Sequence, residues 1–361
     1  MSKEKYHLSK QEQSEVETCV PHDQINIQVA FKAIVEFVEA EKDPDSKTNY
    51  GDTAVALSEH LVTICGHKFL RLGYKAIAIF HVNDIMKVER KSEDTVIITT
   101  VKGSYTIISP VVTRFSERLL KNYILANPMM PESFRFPVFI TNQLPFPKFS
   151  PPLSPFKQFQ LTYNANCSYY HEKYHHDIPR YFCNLIRTRN PIFDFTQLPF
   201  NLIDSNLRPA TDIRPIAAAL QYNHFISRIT CHNITRDDLF TACAPIIKYN
   251  TNLKLVRIIY SGATSGAHEI ASAMRTSTKP SVIYWDFSNN QLDDFEDFAS
   301  ELSIYSAPLV TLRLNNCSIG SDEMSVLINS MIHNQATHHI RQLALLGSTL
   351  DERVCSIFDQ F

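Results

Sequence analysis

Four segments of the C-terminal half repeat one apolar pattern, and this repetition restricts the possible folds more than any other feature of the chain. The pattern is L-x-x-L-x-L-x-x-[NC]-x-L, in which other apolar residues can replace Leu. Two segments fit it fully: Val282, Trp285, Phe287, Asn290 and Leu292, and Leu309, Leu312, Leu314, Cys317 and Ile319. Two more fit with Ser261 or Ser348 in the bracketed position: Leu253, Val256, Ile258 and Ala263, and Ile340, Leu343, Leu345 and Leu350.

The third apolar position of these segments recurs at a nearly constant interval. From Cys231, in a degenerate upstream turn, through Ile258, Phe287 and Leu314 to Leu345, the steps are 27, 29, 27 and 31 residues. Segments predicted as helices fill the intervals, and several of them begin with Asp, Ser or Thr, as helices often do. They lie at 212–223, 235–250, 267–277, 293–306 and 321–334. The spacing predicts a leucine-rich-repeat solenoid of the long type, with parallel strands alternating with helices and the repeated apolar residues in its core.

The N-terminal half has the pattern of an antiparallel β domain. Short runs rich in Val, Ile, Thr and Phe predict strands at 31–40, 56–65, 76–82, 95–101 and 104–109. Residues 95–109 predict a tight hairpin that turns at Lys102 and Gly103. An amphipathic stripe from Val111 to Tyr123 then predicts a helix, so we expect a small barrel or sandwich closed at one end by this helix.

Proline marks the boundary between the two halves. Eight of the 19 prolines fall between residues 128 and 157, a density that neither a helix nor a sheet interior tolerates. The predicted organisation is therefore a polar tail that is frayed or forms a short helix, a β domain, a proline-rich linker, a cap for the first repeat, and repeats that are incomplete at the C-terminus. The boundaries of these segments are 1–26, 27–127, 128–160, 161–190 and 191–361.

Composition excludes several classes of protein. Only eight residues are glycine, and they form neither G-x-G-x-x-G nor G-x-x-x-x-G-K-[ST], so nucleotide-cofactor enzymes of those types are not expected and no cofactor is predicted. A net charge of −2 gives no general attraction for nucleic acid. The N-terminus has no apolar signal region and no run spans a membrane, so the eight scattered cysteines are expected to be reduced in a cytoplasmic protein.

One segment suggests catalysis. Residues 171–175 read H-E-x-x-H, and on a helix this spacing places His171 and His175 on one face to bind zinc, with Glu172 as general base. No third ligand follows at the spacing of known families, and a proline at 179 ends the helix early. A zinc-dependent hydrolase that uses this segment is therefore the alternative to a protein without enzymatic activity. A second possibility is a structural zinc site completed by Cys167, Cys183 and His176. The third is a cap for the repeat array, which explains the segment without a metal.

Two surfaces are candidates for binding. Lys68, Arg71 and Lys75 lie between two predicted strands and form a candidate site for weak, electrostatic binding of anionic lipid, unless they are an ordinary solvated turn. In the repeats, the residue between the second and third apolar positions faces outward, which gives a row across the sheet: Thr230, Arg257, Asp286, Arg313 and Ala344. We expect Asp286 to lie between Arg257 and Arg313, either as self-neutralising exposed pairs or, with Tyr284, as a concave surface for a protein partner.

The order of these segments resembles that of CARMIL-type regulators, capping-protein regulators with a PH domain ahead of ribonuclease-inhibitor-like leucine-rich repeats. The resemblance covers roughly residues 30–361. It rests on four stretches: the strand-rich 30–126 with VALSEHLVTICGHKF, the CSYYHEKYH cap at 167–175, RPATDIRPIAAALQYNHFISRITCHNIT at 208–235, and the long repeats from 253. It implies a PH-like barrel with a C-terminal helix, and a non-enzymatic scaffold in actin filament assembly and cell migration. It further implies cytoskeletal protein partners and a place at the cell cortex, on the inner face of the plasma membrane.

The chain departs from the family at its C-terminal end. The family continues through more repeats, a helical dimerisation segment and a disordered tail that binds capping protein, whereas this chain stops at Phe361. Direct uncapping of filaments is therefore not expected from the residues present. The last repeat, with Leu343, Leu345 and Leu350, and a short apolar helix after it predict an unfinished interface, so residues 340–361 are expected to pair end to end or to belong to a longer protein.

Overall fold

The computed structural model describes residues 6–21, 26–43, 46–68, 73–135, 138–140, 153–198 and 211–358. The chain divides into two compact units, Met1–Leu153 and Ser154–Phe361. Among the described helices, none combines the length and the apolar character needed to cross a lipid bilayer.

Seven antiparallel strands form the main sheet of the first unit. They are β1 Val29–Glu39, β2 Thr48–Leu57, β3 Leu61–His67, β4 Tyr74–His81, β5 Ile85–Arg90, β6 Thr95–Thr100 and β7 Gly103–Ile108. Their order is β4-β3-β2-β1-β7-β6-β5, and β8, Val138–Ile140, adds a parallel strand beside β5. Two meanders thus meet where β1 pairs with β7, and the sheet curls like a barrel without closing.

The predicted C-terminal helix covers the open side of this sheet. It forms α2, Val112–Ala126, and its Phe115 ring lies 5.3 Å from the Phe31 ring of β1, centroid to centroid. The polar side chains of α2 fix its position, because Asn122 Nδ2 donates to the Ser58 carbonyl at 2.8 Å, and Asn127 Nδ2, just beyond the helix, donates to Asn83 Oδ1 at 2.8 Å. The helix is therefore held to both loops at the open end.

Two strand predictions for this unit need correction. The stretch 56–65, which the residue pattern predicts as one strand, turns at Ser58–His60 and contributes to both β2 and β3, which agrees with the strand pair that the resemblance implies for VALSEHLVTICGHKF. The strand β5 was missed, because a bulge at Met86 shifts the register between Ile85 and Lys87 and so breaks the alternation of apolar and polar residues that predicts a strand. The predicted hairpin is confirmed, because β6 pairs with β7 as far as Thr100 and Gly103. Gly103 is required for a separate reason, since a Cβ there would collide with the Val38 carbonyl oxygen of β1.

The N-terminal segment, predicted as a frayed tail or a short helix, contains a short helix that packs on the sheet. Helix α1, Lys10–Glu17, begins with a capping box in which Ser9 and Glu12 hydrogen-bond each other's backbone amides. Val16 and Val20 are buried in a cluster with the sheet residues Ala54, Ala56, Cys65 and Tyr74. Burial of this apolar edge explains why the short helix is ordered.

The predicted linker ends earlier than expected. Helix α3, Pro155–Tyr169, starts inside the 128–160 segment, with Ser154 as its N-cap and proline in the first turn, where its missing N–H is not needed. Helix α4, Asp177–Arg187, follows. Residues 141–152 of the predicted linker lie outside the described residues.

A parallel six-stranded sheet organises the second unit. Its strands are β9 Ile192–Asp194, β10 Arg228–His232, β11 Leu255–Ile259, β12 Tyr284–Asp286, β13 Thr311–Arg313 and β14 Gln342–Ala344, and each lies beside its neighbours in sequence. The helices between or after them are α5 Arg214–Leu220, α6 Leu239–Tyr249, α7 Ala267–Thr276, α8 Phe295–Glu301, α9 Ser321–His333 and α10 Glu352–Phe358. The repeat leucines and their equivalents, including the fully buried Trp285 and Phe287, form one continuous core between sheet and helices.

Candidate binding face of the parallel sheet

A row of facing residues crosses the exposed side of the parallel sheet. Its members, one from each strand in order, are Asp194, Thr230, Arg257, Asp286, Arg313 and Ala344. The predicted register from Thr230 to Ala344 is thereby confirmed. Side chains on a strand alternate between faces, so these residues share the face opposite the buried Ile229, Val256, Trp285, Leu312 and partly buried Leu343.

Asp286 is the centre of this row. Its Oδ2 atom lies 3.4 Å from Arg257 Nε on one neighbouring strand and 3.8 Å from Arg313 Nη1 on the other. Its Oδ1 atom accepts hydrogen bonds from the Ser288 amide at 3.2 Å and the Ser288 hydroxyl at 2.7 Å. Both carboxylate oxygens therefore have partners.

The charges of this row are predicted to be exposed, and for Asp286 that prediction is wrong. Its side chain is only 1% exposed, whereas those of Arg257 and Arg313 are 39% and 32% exposed. The reason is the short aspartate between two long side chains: neighbouring strands are about 4.8 Å apart, so the arginines flank and shield the carboxylate. Each arginine side chain stays partly exposed, but Arg257 Nε, the atom that faces Asp286, is itself buried and forms no hydrogen bond among the described residues.

Two polar neighbours extend the site. The Arg313 guanidinium lies over the Tyr284 ring, 5.6 Å from its centroid, and Arg313 Nη2 donates to Gln342 Oε1 at 2.8 Å. Sequence reasoning named Tyr284 but missed Gln342. The signal was available, because Gln342 stands two residues before Ala344 and so faces the same side of its strand.

This arrangement is suited to recognition of acidic groups. One buried carboxylate faces two guanidinium groups, so the Arg257–Asp286–Arg313 triad has a net positive charge at neutral pH. The planar arginine fork donates paired hydrogen bonds to carboxylates, and its orientation here is held by Asp286, Tyr284 and Gln342.

The H-E-x-x-H segment does not have the helical geometry that its zinc hypothesis requires. Residues 171–175 lie between α3 and α4, and His171 adopts φ of 56°. The Glu172 amide donates to the Cys167 carbonyl at 2.8 Å and the His171 amide to the Ser168 carbonyl at 3.3 Å, the pattern of a Schellman motif that ends a helix. The two histidines therefore do not share a helix face.

Glu172 instead has a structural contact. Its Oε2 atom accepts the Asp212 amide at 3.1 Å, which ties the segment before α5 to the cap. For the alternative structural site, Cys167 is buried while Cys183 is exposed. Within the described ranges, no group of three or more His, Cys, Asp or Glu side chains is placed to hold a metal ion.

A cavity of about 750 Å³ lies beside Glu172 and includes two arginines, Arg214 and Arg236, in its lining. Arg214 pairs with Asp212 at 2.5 Å, and the buried Arg236 pairs with Asp238 at 2.7 Å. Arg236 Nη1 also donates to the Thr211 carbonyl at 2.8 Å. These contacts join the segment before α5 to the segment before α6, and they pair Arg214 and Arg236 with charges of the chain itself.

The predicted lipid-binding residues lie around the β3–β4 hairpin. Lys75 is exposed on β4, Lys68 is exposed just after β3, and Arg71 lies outside the described residues. The acidic Glu15 of α1 lines the same cavity as Lys68. Helix α1 thus places the negative charge of Glu15 beside Lys68, which reduces the local positive potential there.

Comparisons with known proteins add little to this description. No family model and no curated protein matches the chain. Solved structures with some similarity include Vav1 inhibited by an allosteric inhibitor, at 10% identity over 33% of each chain with a TM-score of 0.25. Another is the complex of PDZ-RhoGEF DH/PH domains with activated RhoA, at 10% identity over 27% of this chain and 29% of that chain with a TM-score of 0.20. The matched parts span about a third of those chains, and likenesses at these scores carry no argument about function.

Proposed function

We propose that this chain is a non-enzymatic scaffold that takes part in regulating actin filament assembly and cell migration at the cell cortex, on the inner face of the plasma membrane. In this proposal the first unit is a PH-like module and the second is a leucine-rich-repeat solenoid that recognises proteins. The support is the seven-stranded sheet followed by a helix, the sequential parallel sheet with a helix between strands, and the CARMIL-like order of sequence segments.

The observation that carries the binding function is the triad of Arg257, Asp286 and Arg313. An exposed arginine on a flexible stem loses conformational entropy when it binds a partner. Here the buried Asp286 carboxylate, on the strand between theirs, lies 3.4 Å from Arg257 Nε and 3.8 Å from Arg313 Nη1, and this attraction favours the position of both guanidinium groups before a partner arrives. The triad therefore fits an acidic surface of a partner protein.

A charge-matched comparison tests this role. The full chain, the Arg257→Ala/Arg313→Ala variant and the Arg180→Ala/Arg187→Ala variant are immobilised, and the proteins captured from cell lysate are quantified. Arg180 and Arg187 are exposed on α4, so the control removes the same charge away from the sheet face. We expect the triad variant alone to lose most of the captured set; equal losses in both variants would reject the triad as the binding site.

The actin-specific part of the proposal needs its own test. Proximity labelling in cells should enrich components of the actin filament machinery around the full chain relative to the triad variant. A labelled set without such components would remove actin regulation from the proposal and leave only protein recognition.

Membrane association through the first unit is expected to be weak and electrostatic. Two exposed lysines, Lys68 and Lys75, with Glu15 beside one of them, give a small local positive charge. Binding to vesicles that contain phosphatidylserine or phosphoinositide should fall as salt rises, because salt screens exposed charges beyond about 10 Å at 0.1 M. Binding that persists unchanged in high salt, or in a Lys68→Ala/Lys75→Ala variant, would contradict this mode.

A further inference from the structure

One loop position after the strands has the same backbone conformation in five successive repeats. It has positive φ at each of them: Asn233 (54°), Tyr260 (53°), Asn289 (61°), Asn316 (54°) and Gly347 (79°). The first four amides each donate to the carbonyl of the residue before the equivalent position in the next repeat, namely Ile259, Ser288, Asn315 and Leu346. The position is therefore equivalent in structure and not only in sequence spacing.

Tyr260 is the exception in this column. Asn and Gly tolerate the left-handed region, whereas a bulky side chain there is strained. The Tyr260 side chain is 59% exposed, and among the described residues its ring and hydroxyl make no hydrogen bond and no aromatic contact. Packing within the chain therefore does not explain a strained, exposed aromatic residue where the other repeats have Asn or Gly.

A cavity of about 490 Å³ opens beside Tyr260. The side chains that line it with Tyr260 are hydroxyls and carboxamides, chiefly those of Thr235, Thr264, Asn289, Gln291 and Asn316. None of its lining residues is charged. Asn316 Nδ2 donates to Asn289 Oδ1 at 2.9 Å, and this bond fixes the orientation of the Asn289 amide group at the rim.

We propose that Tyr260 and these carboxamides bind an uncharged, extended peptide segment of a partner protein. A carboxamide presents one carbonyl and one NH2 group, and so it can pair with the carbonyl and N–H of a peptide main chain. An extended or polyproline-like segment leaves those main-chain groups unpaired, and its apolar side chains pack on an exposed aromatic face. The absence of charge at the site selects against the acidic surface that the Arg257–Asp286–Arg313 triad fits.

This inference rests on the proposed role of the second unit in protein recognition but uses different residues. Strained residues persist at binding sites because function retains them there. Two readouts follow. Replacement of Tyr260 by the Asn of the other repeats should relieve strain, and it should also abolish peptide binding.

Thermal unfolding gives the first readout. We expect the full chain with Tyr260→Asn to unfold about 2–4 °C above the unmodified protein, and Tyr260→Phe, which keeps the strain, to match the unmodified protein. A Tyr260→Asn variant that unfolds at a lower temperature would show that Tyr260 supports the fold, and it would overturn the inference.

Peptide selection gives the second readout. Phage-displayed random peptides of about twelve residues are selected on the full chain, with Tyr260→Asn as the counter-target. We expect peptides with an uncharged centre that bind the unmodified protein and the Arg257→Ala/Arg313→Ala variant alike, and Tyr260→Asn at least tenfold more weakly. The inference is overturned if no selected peptide distinguishes Tyr260→Asn from the unmodified protein, or if only charged peptides do. It is also overturned if maltohexaose or cellohexaose binds in a Tyr260-dependent way and no peptide does. Loss of lysate capture in the triad variant is independent of all these outcomes, so the proposed function and this inference fail separately.

Discussion

Asp286 and Arg313 face each other on neighbouring parallel strands, with Asp286 Oδ2 3.8 Å from Arg313 Nη1. The same oxygen lies 3.4 Å from Arg257 Nε on the opposite side. An exposed pair of this kind adds about 0–1 kcal/mol to stability. The Asp286 carboxylate, however, is almost fully buried and has lost its water, so its protein partners matter more than those of a surface aspartate.

Asp286→Ala should lower the free energy of unfolding by about 1–3 kcal/mol, because it leaves Ser288 without its acceptor and two adjacent guanidinium groups without a counter-charge. Urea denaturation measures this change. Asp297→Ala is the control: Asp297 is 51% exposed and pairs with the exposed His268, so its loss should change the free energy of unfolding by under about 0.5 kcal/mol. Equal effects for the two variants would mean that burial of Asp286 has no energetic consequence.

Asn290 should contribute to stability through both ends of its amide. It is 1% exposed; its Nδ2 donates to the Ile258 and Phe287 carbonyls at 2.8 and 2.7 Å, and its Oδ1 accepts the Ser261 amide and hydroxyl. Asn290→Ala should lower the free energy of unfolding by about 2–3 kcal/mol, because buried polar groups in two repeats lose their partners. Gln291→Ala, next to it but exposed, should have an effect near zero. A small effect of Asn290→Ala would argue that water replaces the amide.

The repeat pattern predicted the sheet register correctly because one physical constraint fixes it. Each repeat buries the same apolar positions, so the equivalent outward positions must face each other across parallel strands, and Asp286 between Arg257 and Arg313 followed directly. The pattern also placed Ser261 at the position that Asn290 has in the next repeat, and the structure shows Ser261 hydrogen-bonded to Asn290. Periodicity thus predicts which residues meet.

Burial, strain and irregular backbone were not predictable in the same way. Apolar periodicity gives no information on how far two arginines shield Asp286, and it does not reveal that Tyr260 adopts positive φ. The bulge at Met86 removed the alternation that would have predicted β5. The H-E-x-x-H motif depended on a helix that the positive φ of His171 ends.

Docking of α1 should weaken in acid through Glu12. Burial by itself would raise the pKa of Glu12, but hydrogen bonds from Lys32 and Ser9 and the charge of Lys32 outweigh it and lower the pKa below the usual 4.5. A carboxylate whose pKa is lower in the folded state adds stability above its unfolded pKa and loses that contribution as the pH falls through the folded pKa.

Hydrogen-exchange protection of residues 10–17 measures this effect. We expect protection to be constant above pH 5 and to decrease below about pH 4.5, and Glu12→Gln to be less protected at pH 6 with a flatter pH dependence. An unchanged pH dependence in Glu12→Gln would assign the acid sensitivity to another group.

Thiol reactivity should separate the eight cysteines by burial. Cys183 and Cys355 are exposed, and Cys19 is half-buried. Burial raises the pKa of Cys317 to about 11 and those of Cys167 and Cys231 to about 12, so these thiols remain protonated and shielded at pH 8. With an aromatic disulfide reagent at pH 8, we expect two fast-reacting thiols in the native protein and eight after denaturation. Fast reaction of Cys317 would contradict the packing of the repeat at 309–319.

The predicted self-association through residues 340–361 depends in part on other side chains than the sequence suggests. The pattern predicts an exposed apolar helix, but Val354 of α10 is fully buried, and Ile357 and Phe358 pack against the core. Of the predicted interface residues in the last repeat, Leu350 is exposed, at 51%, and Leu346, which the pattern does not single out, is 71% exposed. Residues 359–361 lie outside the described residues.

Strand β14 adds a second reason to expect association. Within the described residues it pairs with β13 on one side and has no strand on the other, so its main-chain groups on that side are available to a second copy. We expect light scattering to show dimers at high micromolar concentration, and Leu346→Glu/Leu350→Glu to remain monomeric because two carboxylates repel at the contact. Ile304→Glu changes an equally exposed residue, at 66%, away from β14 and should dimerise normally.

In the monomeric variant the amides of 342–358 should exchange faster than those of 284–286, because β14 is supported by one neighbour and β12 by two. A protein that stays monomeric, or a β14 as protected as β12, would show that the last repeat is stable without a partner.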